Sequence, residues 1–338
     1  MIEHPPDDPR LSVVVPVKNS AKTVGDLLES LMKIDYDEDR LEIVFVDGNS
    51  TDGTREIVQK YPVRLVDEEG RGLNAARNTG IKHSTGQIVA FTDGDCVVPP
   101  DWGRQIARNF REPTVSFVAG PVEGLDRGNF MSNYLDETYF QVKPGFRWRS
   151  EMTDIDLFQF PAGANMAFRR HALEKIDFFD ERLAYGFDDL LPVEQLGSKG
   201  FRIVLDPDVK VWHQNRTTLP EILSQHFNYG RGGALLMINR ANTKLAQWFA
   251  TYLFSTVFGI ILLLALTSTG LIFDHVLPIN VAAGLFFFGF IILETFYMRI
   301  AIRTKCLRKM IVYPILDIIR GFAFTFGGIV QLFRSLTG

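Results

Sequence analysis

Asp93-Gly94-Asp95 follows directly on Gln87-Ile88-Val89-Ala90-Phe91-Thr92. An apolar, β-branched run that stops on two carboxylates reads as a buried strand ending at a sheet's carboxyl edge. Open α/β sheets bind their ligands at that edge. Two carboxylates one residue apart repel each other unless a positive charge lies between them. Hard oxygen ligands of this kind suit Mg2+ or Mn2+, ions that commonly bridge to substrate phosphates. The competing reading is a polar turn, since Asp and Gly dominate turns for local reasons. A further carboxylate, Asp47, closes the apolar run 43–46 and is expected to point into the same crevice, where it could accept hydrogen bonds from a base or ribose. Ser50, Thr51 and Asp52 behind it read as turn and helix-capping residues.

The elements that must hold these groups alternate along residues 11–121. Residues 11–17, 41–46, 63–66 and 87–91 have the pattern of strands, and 201–205 adds a later one. Between them 23–34, 54–60, 73–83 and 101–110 read as helices. That alternation predicts an α/β fold with a mainly parallel sheet and helices on both faces. Residues 120–212 are less regular. The chain has 338 residues and a formal charge of −4, with no nucleic-acid signature. Its two cysteines, Cys96 and Cys306, point to neither a disulfide framework nor a zinc site. The acidic, proline-bearing residues 1–8 are no signal peptide, so the first domain is expected in the cytoplasm.

The tail differs in kind. Residues 248–273 carry no charge, and 276–293 form another such run; a bilayer core needs about 20 apolar helical residues. The loop between them lacks Lys and Arg, whereas Arg299, Arg303, Lys305, Arg308 and Lys309 follow the second run. The positive-inside rule puts that basic loop in the cytoplasm. Residues 311–333 are long enough for a third span but contain Asp317 and Arg320, which are neighbours on a helix face. They could pair inside a bundle, or the segment could lie in the interface. The expected organisation is a tail (1–10), a catalytic domain (11–233), a linker (234–247) and a membrane domain (248–338) with spans near 248–272, 276–298 and 311–333.

Several motifs occur in a fixed order: Val13-Val14-Val15-Pro16-Val17-Lys18-Asn19, then Val46-Asp47-Gly48-Asn49-Ser50-Thr51-Asp52-Gly53-Thr54, then Ala76-Arg77-Asn78-Thr79-Gly80, then Phe91-Thr92-Asp93-Gly94-Asp95. Gly163-Ala164-Asn165-Met166-Ala167-Phe168-Arg169-Arg170, Phe179-Asp180-Glu181 and Lys199-Gly200-Phe201-Arg202-Ile203 continue the series. Each is weak alone; the ordered set resembles glycosyltransferase family 2 over residues 11–233. The resemblance implies a GT-A fold, Rossmann-like, and an inverting transferase that uses a nucleoside-diphosphate sugar with Mg2+ or Mn2+. Pro16, Val17, Asn19, Asp47, Arg77 and Asp93 would then serve the nucleotide. Arg77 has a structural clamp as its other reading. Asp93 and Asp95 would form the DxD metal motif, Asp95 binding the ion directly. Asp188-Asp189 stands where the family usually has Glu-Asp, which makes Asp189 the general base and Asp188 its tuning partner; a helix-capping pair is the alternative.

This chain departs from the family at Gly48, where a second Asp is common, and at Leu190-Leu191-Pro192 after the acid pair. His213 matches a frequent family His that could reach the metal or be structural. Arg231, in Gln225-His226-Phe227-Asn228-Tyr229-Gly230-Arg231-Gly232, loosely resembles the segment that meets acceptor or diphosphate. Arg147 and Trp148 belong to the basic-aromatic patch 143–149, which suits lipid phosphates or is an ordinary loop. The expected activity is addition of one sugar to a lipid-linked glycan hydroxyl or polyprenyl phosphate at the cytoplasmic membrane face. The alternatives are a non-catalytic sugar-nucleotide scaffold and a nucleotidyltransferase.

Overall fold

The computed structural model describes residues 8–126, 128–139, 147–156 and 160–337. Residues 1–7 of the expected tail and 143–146 of the basic-aromatic patch lie outside them. The chain divides into two compact units, one of Met1–Ser132 with Val142–Asn215, the other of Asn133–Gln141 with Arg216–Gly338.

In the first unit β1 (Leu11–Val17), α1 (Val24–Leu31), β2 (Leu41–Asp47), α2 (Thr54–Val58), β3 (Arg64–Asp67), α3 (Leu73–Lys82) and β4 (Ile88–Phe91) follow one another. Then come β5 (Cys96–Val97), α4 (Trp102–Phe110), β6 (Val115–Ala119) and β7 (Val122–Gly124). Helix α5 (Phe130–Glu137) enters the second unit at Asn133. The chain returns with β8 (Ser150–Met152), β9 (Met166–Arg169), α6 (Arg170–Lys175), α7 (Leu190–Ser198), β10 (Arg202–Leu205) and β11 (Val211–His213).

The main sheet has the order β3-β2-β1-β4-β9-β6-β10-β8, and β5-β11-β7 forms a smaller one. Pairs β3–β2, β2–β1, β1–β4 and β6–β10 are parallel; β4–β9, β9–β6 and β10–β8 are antiparallel. Strand alternation divides the core. Val13, Val15 and Val17 pack with Leu27, Leu28, Trp102 and Ile106 on one face, so α1 and α4 cover it. Val14, Val44 and Val46 pack on the other with Ala76, Ile81, Leu173, Val193 and Leu196, placing α3, α6 and α7 there. Each such fully buried aliphatic side chain contributes about 1.5–3 kcal/mol relative to exposure. The mainly parallel α/β expectation therefore holds, and the helices expected at 23–34 and 54–60 end earlier. Strand β9 was not expected from the pattern. It is only four residues long and runs straight into α6, yet it pairs antiparallel with both β4 and β6.

The second unit contains α8 (Leu219–Asn239), α9 (Lys244–Ile272), α10 (Val276–Thr304) and α11 (Leu307–Thr337). The last three are long and apolar enough to cross a membrane. Helices α8 and α11 approach closely because their contact is made of glycine: a Cβ at Gly230 would meet the Phe324 carbonyl, and one at Gly327 the Phe227 carbonyl. Asp317 and Arg320 pair at 3.0 Å and are buried. Asp317 also accepts hydrogen bonds from Tyr134 and Thr138, both at 2.6 Å, and from Tyr297.

One motif residue proves to be a fastener. Buried Asn165 accepts from Trp102 Nε1 at 3.0 Å and donates to the carbonyls of Val209 at 2.6 Å and Pro121 at 3.2 Å. Asn165→Ala takes the partner from the buried Trp102 Nε1–H and from the Val209 carbonyl, each worth about 1–3 kcal/mol, while the Pro121 carbonyl keeps the Val211 N–H. Thermal unfolding of the purified protein should show a Tm lower by on the order of 10 °C; an unchanged Tm would contradict this assignment.

Candidate active site

Because β3, β2, β1 and β4 are mutually parallel, their carboxyl ends share one edge, and Glu68, Asp47, Asn19 and Asp93 follow those ends in the same order across the sheet. Asp47 is fully buried. Its carboxylate accepts from the Ser50 backbone N–H at 3.2 Å and from Arg55 Nη1 at 2.9 Å, and Arg55 also holds Asp67. Burial opposes ionisation here, but the hydrogen bonds from Ser50 and Arg55 win and hold Asp47 below the usual carboxylate range.

The loops around it are cross-tied. Asn19, with a left-handed φ of 52°, donates its N–H to Ser50 Oγ at 2.9 Å and accepts from the Thr51 N–H at 2.9 Å. Asp52 accepts from the backbone N–H groups of Ala21 and Thr54. Val17 turns its side chain into the core, and its carbonyl takes the Gly48 N–H at 2.9 Å. Pro16 pairs with Val46 in the sheet.

Glu68 was not singled out from the sequence, although it directly follows β3 at the edge where Asp47 closes β2. It occupies the space left by Gly48: a Cβ there would lie 3.0 Å from Glu68 Oε2 and 3.4 Å from Lys18 Cδ. Glu68 Oε1 is buried without a hydrogen-bond partner, and burial raises the proton affinity of this carboxyl. The chain thus brings a second carboxylate to Asp47 from the neighbouring strand.

Asp93 and Asp95 leave β4 in a tight turn closed by the Cys96 N–H on the Asp93 carbonyl at 3.1 Å. His213, opposite Cys96 across the β5–β11 pair, places Nε2 at 3.3 Å from Asp95 Oδ1. Burial, then the charge of Asp95, raises the pKa of Asp93. That is the repulsion a divalent cation relieves, and two hard carboxylates beside an imidazole suit Mn2+ or Mg2+. Among the described residues no three His, Cys, Asp or Glu side chains converge. A cation held here would complete its shell with water and substrate oxygens.

Arg77 lies on α3, is 1% exposed, pairs with Asp188, and sits 5.3 Å from the Phe179 ring centroid. Its charge and that of Asp188 both act on Asp93, so these groups share one electrostatic site. Asp189 directly precedes α7 but makes no side-chain cap to it; its Oδ2 instead accepts from the Gly163 N–H at 2.8 Å. Burial and the adjacent Asp188 push the Asp189 carboxyl up to about 7, against the opposing pull of Arg77 and the Gly163 N–H. Arg147 and Trp148 are exposed. Arg231 belongs to the second unit, where it donates to Gln331 at 3.1 Å.

Residues 12–177 match Glycosyl transferase family 2. The chain carries a family 2 glycosyltransferase domain. Glycosyltransferase AglE of Haloferax volcanii is 29% identical over 253 residues, spanning 71% of this chain and 80% of that protein. Among solved structures, the mannosyltransferase PcManGT from Pyrobaculum calidifontis, in complex with GDP-Man and Mn2+, aligns with a TM-score of 0.59 at 23% identity, over 94% of this chain and 88% of that one. S. aureus TarS in complex with UDP-GlcNAc aligns with a TM-score of 0.50 at 20% identity, over 67% and 70% respectively. These likenesses identify the fold of the glycosyltransferase domain as GT-A.

Arg77→Leu in this glycosyltransferase would leave the Asp188 charge buried and unpaired, at a cost of about 3–5 kcal/mol. The expected result is a large fall in Tm, partly restored in Arg77→Lys. A normal Tm with weakened nucleotide binding would instead make Arg77 a donor-binding residue.

Proposed function

We propose that the chain is an inverting, cation-dependent glycosyltransferase that moves one sugar from a nucleoside-diphosphate donor to a hydroxyl of a lipid-linked acceptor, at the cytoplasmic face of the cell membrane. The observation that carries this reading is Asp189: a half-buried carboxylate, oriented by the Gly163 N–H and balanced near neutrality, beside the Arg77–Asp188 pair. A general base works best when its pKa lies near the operating pH.

In this mechanism the acceptor hydroxyl gives its proton to Asp189 as its oxygen bonds to the anomeric carbon. The bond from that carbon to the diphosphate oxygen breaks, and the nucleoside diphosphate leaves with the electron pair. Asp188, fixed by Arg77, keeps negative charge next to Asp189 and so sustains its basicity. Asp93 and Asp95, with His213 alongside, would hold Mg2+ or Mn2+, which neutralises charge on the leaving diphosphate. Asp47 and Glu68 would receive the nucleoside, with Pro16, Val17 and Asn19 lining the pocket. Arg147 and Trp148 are assigned to the acceptor or diphosphate. The lipid-linked acceptor follows from the apolar helices, since a water-soluble acceptor gives no reason to place the enzyme in a bilayer.

Purified protein incubated with Mn2+, candidate nucleotide sugars and a lipid extract should release nucleoside diphosphate. Release of pyrophosphate, or binding without turnover, would sink the proposal. Asp189→Asn should lower kcat by on the order of 10²–10⁴-fold. Retention of most activity would identify the acceptor as an already ionised lipid phosphate.

The pH dependence follows from the same group. Activity requires ionised Asp189, so kcat/KM should rise about tenfold per pH unit and level off above about 7. The raised folded-state pKa favours the folded state while Asp189 is protonated. That stabilisation is full below the unfolded value near 3.8 and is lost as pH rises through about 7. Asp189→Asn should therefore flatten the decline in Tm across that window.

A further inference from the structure

Helix α11 is apolar enough to span, but its surface is divided lengthwise. Ile315, Ile319, Phe322, Phe326, Ile329 and Phe333 are exposed at helical spacing and form one continuous stripe. The opposite face buries Lys309, Asp317 and Arg320. In the window that qualifies each helix as apolar, 33% of α11 is buried, against 11% of α9 and 6% of α10. Apart from Tyr297 of α10, which donates to Asp317 near the end of its helix, the partners of the polar face come from segments that are not spans. Glu137 receives Lys309 Nζ at 2.7 Å, Tyr134 and Thr138 donate to Asp317, and Arg231 of α8 donates to Gln331.

Contacts with α9 and α10 give the direction of α11. Tyr297, seven residues before the end of α10, touches Tyr313 (ring centroids 5.5 Å apart) and Asp317. Phe249 and Tyr252, five and eight residues past the start of α9, touch Phe324 with centroids 5.5 and 5.2 Å apart; Tyr252 also reaches Thr325. At 1.5 Å per residue all three partners lie about 8–12 Å from the helix ends that share one membrane face. Between Tyr313 and Thr325, α11 advances about 18 Å along its own axis. A helix crossing beside α9 would change depth by that distance, whereas the partners hardly change depth.

We propose that α11 is not a third crossing but lies along the cytoplasmic interface of the bilayer, with its Ile/Phe stripe set into the headgroup–acyl boundary. The chain then crosses twice, and its C-terminal helix stays on the side of α8. This rests on the reading of α9 and α10 as spans. The occupant of the stripe is lipid because α9 and α10 are themselves exposed and apolar at the level where they touch α11, at Tyr252, Phe254, Met298 and Ile302. Exposed Arg299, Arg303 and Lys305 sit at that level to meet anionic headgroups. A spanning α11 would instead carry Asp317, Arg320 and their polar partners into hydrocarbon, where each charge is costly.

The test uses the full chain with Cys306→Ser, reconstituted in phosphatidylcholine–phosphatidylglycerol vesicles, with a nitroxide on Ile315→Cys, Phe322→Cys, Ile329→Cys or Leu262→Cys. Depth is read from oxygen and nickel-chelate accessibility. The three α11 positions should lie at one shallow depth, within about 5 Å of each other, with Leu262→Cys far deeper. A Phe322→Cys label as deep as Leu262→Cys, flanked by two positions about 10 Å shallower, overturns the proposal. A shallow Leu262→Cys overturns the spanning reading of α9 itself. Peptide tags at the two chain ends must be reached from the same side of the membrane; access from opposite sides gives three crossings and refutes the proposal.

Discussion

The collection of acidic groups at one sheet edge is the constraint around which the first unit is arranged. Asp95 and Asp188 both act on Asp93, Asp188 acts on Asp189, and Arg77 is the buried cation that makes this tolerable. Arg77 neutralises Asp188 directly and leaves Asp189 and Asp93 with raised proton affinity. The two therefore differ in use. Asp189 is close to its titration point and suits proton transfer, whereas the Asp93–Asp95 pair suits a divalent ion.

Sheet order determines the rest of the site. Strands β3, β2, β1 and β4 lie side by side at about 4.8 Å spacing, so Asp47 stands roughly 10 Å and Glu68 roughly 15 Å across the edge from the metal motif. That ladder separates Asp47 and Glu68, which the proposal gives to the nucleoside, from the carboxylates it gives to the cation and diphosphate. Ser50 and Asp52 accept, and Thr51 donates, the hydrogen bonds that lock the loops above it, and Arg55 orients Asp47. These residues organise the pocket without themselves supplying reactive groups.

The second unit solves a different problem with the same physics. A carboxylate and a guanidinium on an otherwise apolar helix are tolerable only when neighbouring groups satisfy them, and three hydroxyls do so for Asp317. Residues Tyr134 and Thr138, far away in sequence, are held in this unit by that network. Glycines at the α8–α11 contact allow the close approach that keeps α8 over the polar face.

Much was legible in the linear pattern because the relevant signals are local. Apolar runs ending on Asp47 and Asp93 marked both strands and the carboxyl edge they share, and uncharged runs marked α9 and α10. Strand β9, the smaller sheet and the excursion of 133–141 were not legible, since each depends on partners distant in sequence. The same holds within the site. Types and order of residues picked out Asp188-Asp189 and Asp93-Gly94-Asp95 as candidates, because the proposed chemistry demands particular side chains. Only the folded chain decided that Glu68 fills the space beside Gly48, that Arg77 spends its charge on Asp188, and that Asp189 binds the Gly163 N–H instead of capping α7. Those outcomes depend on burial and on which charges meet, and neither quantity exists until the chain has packed.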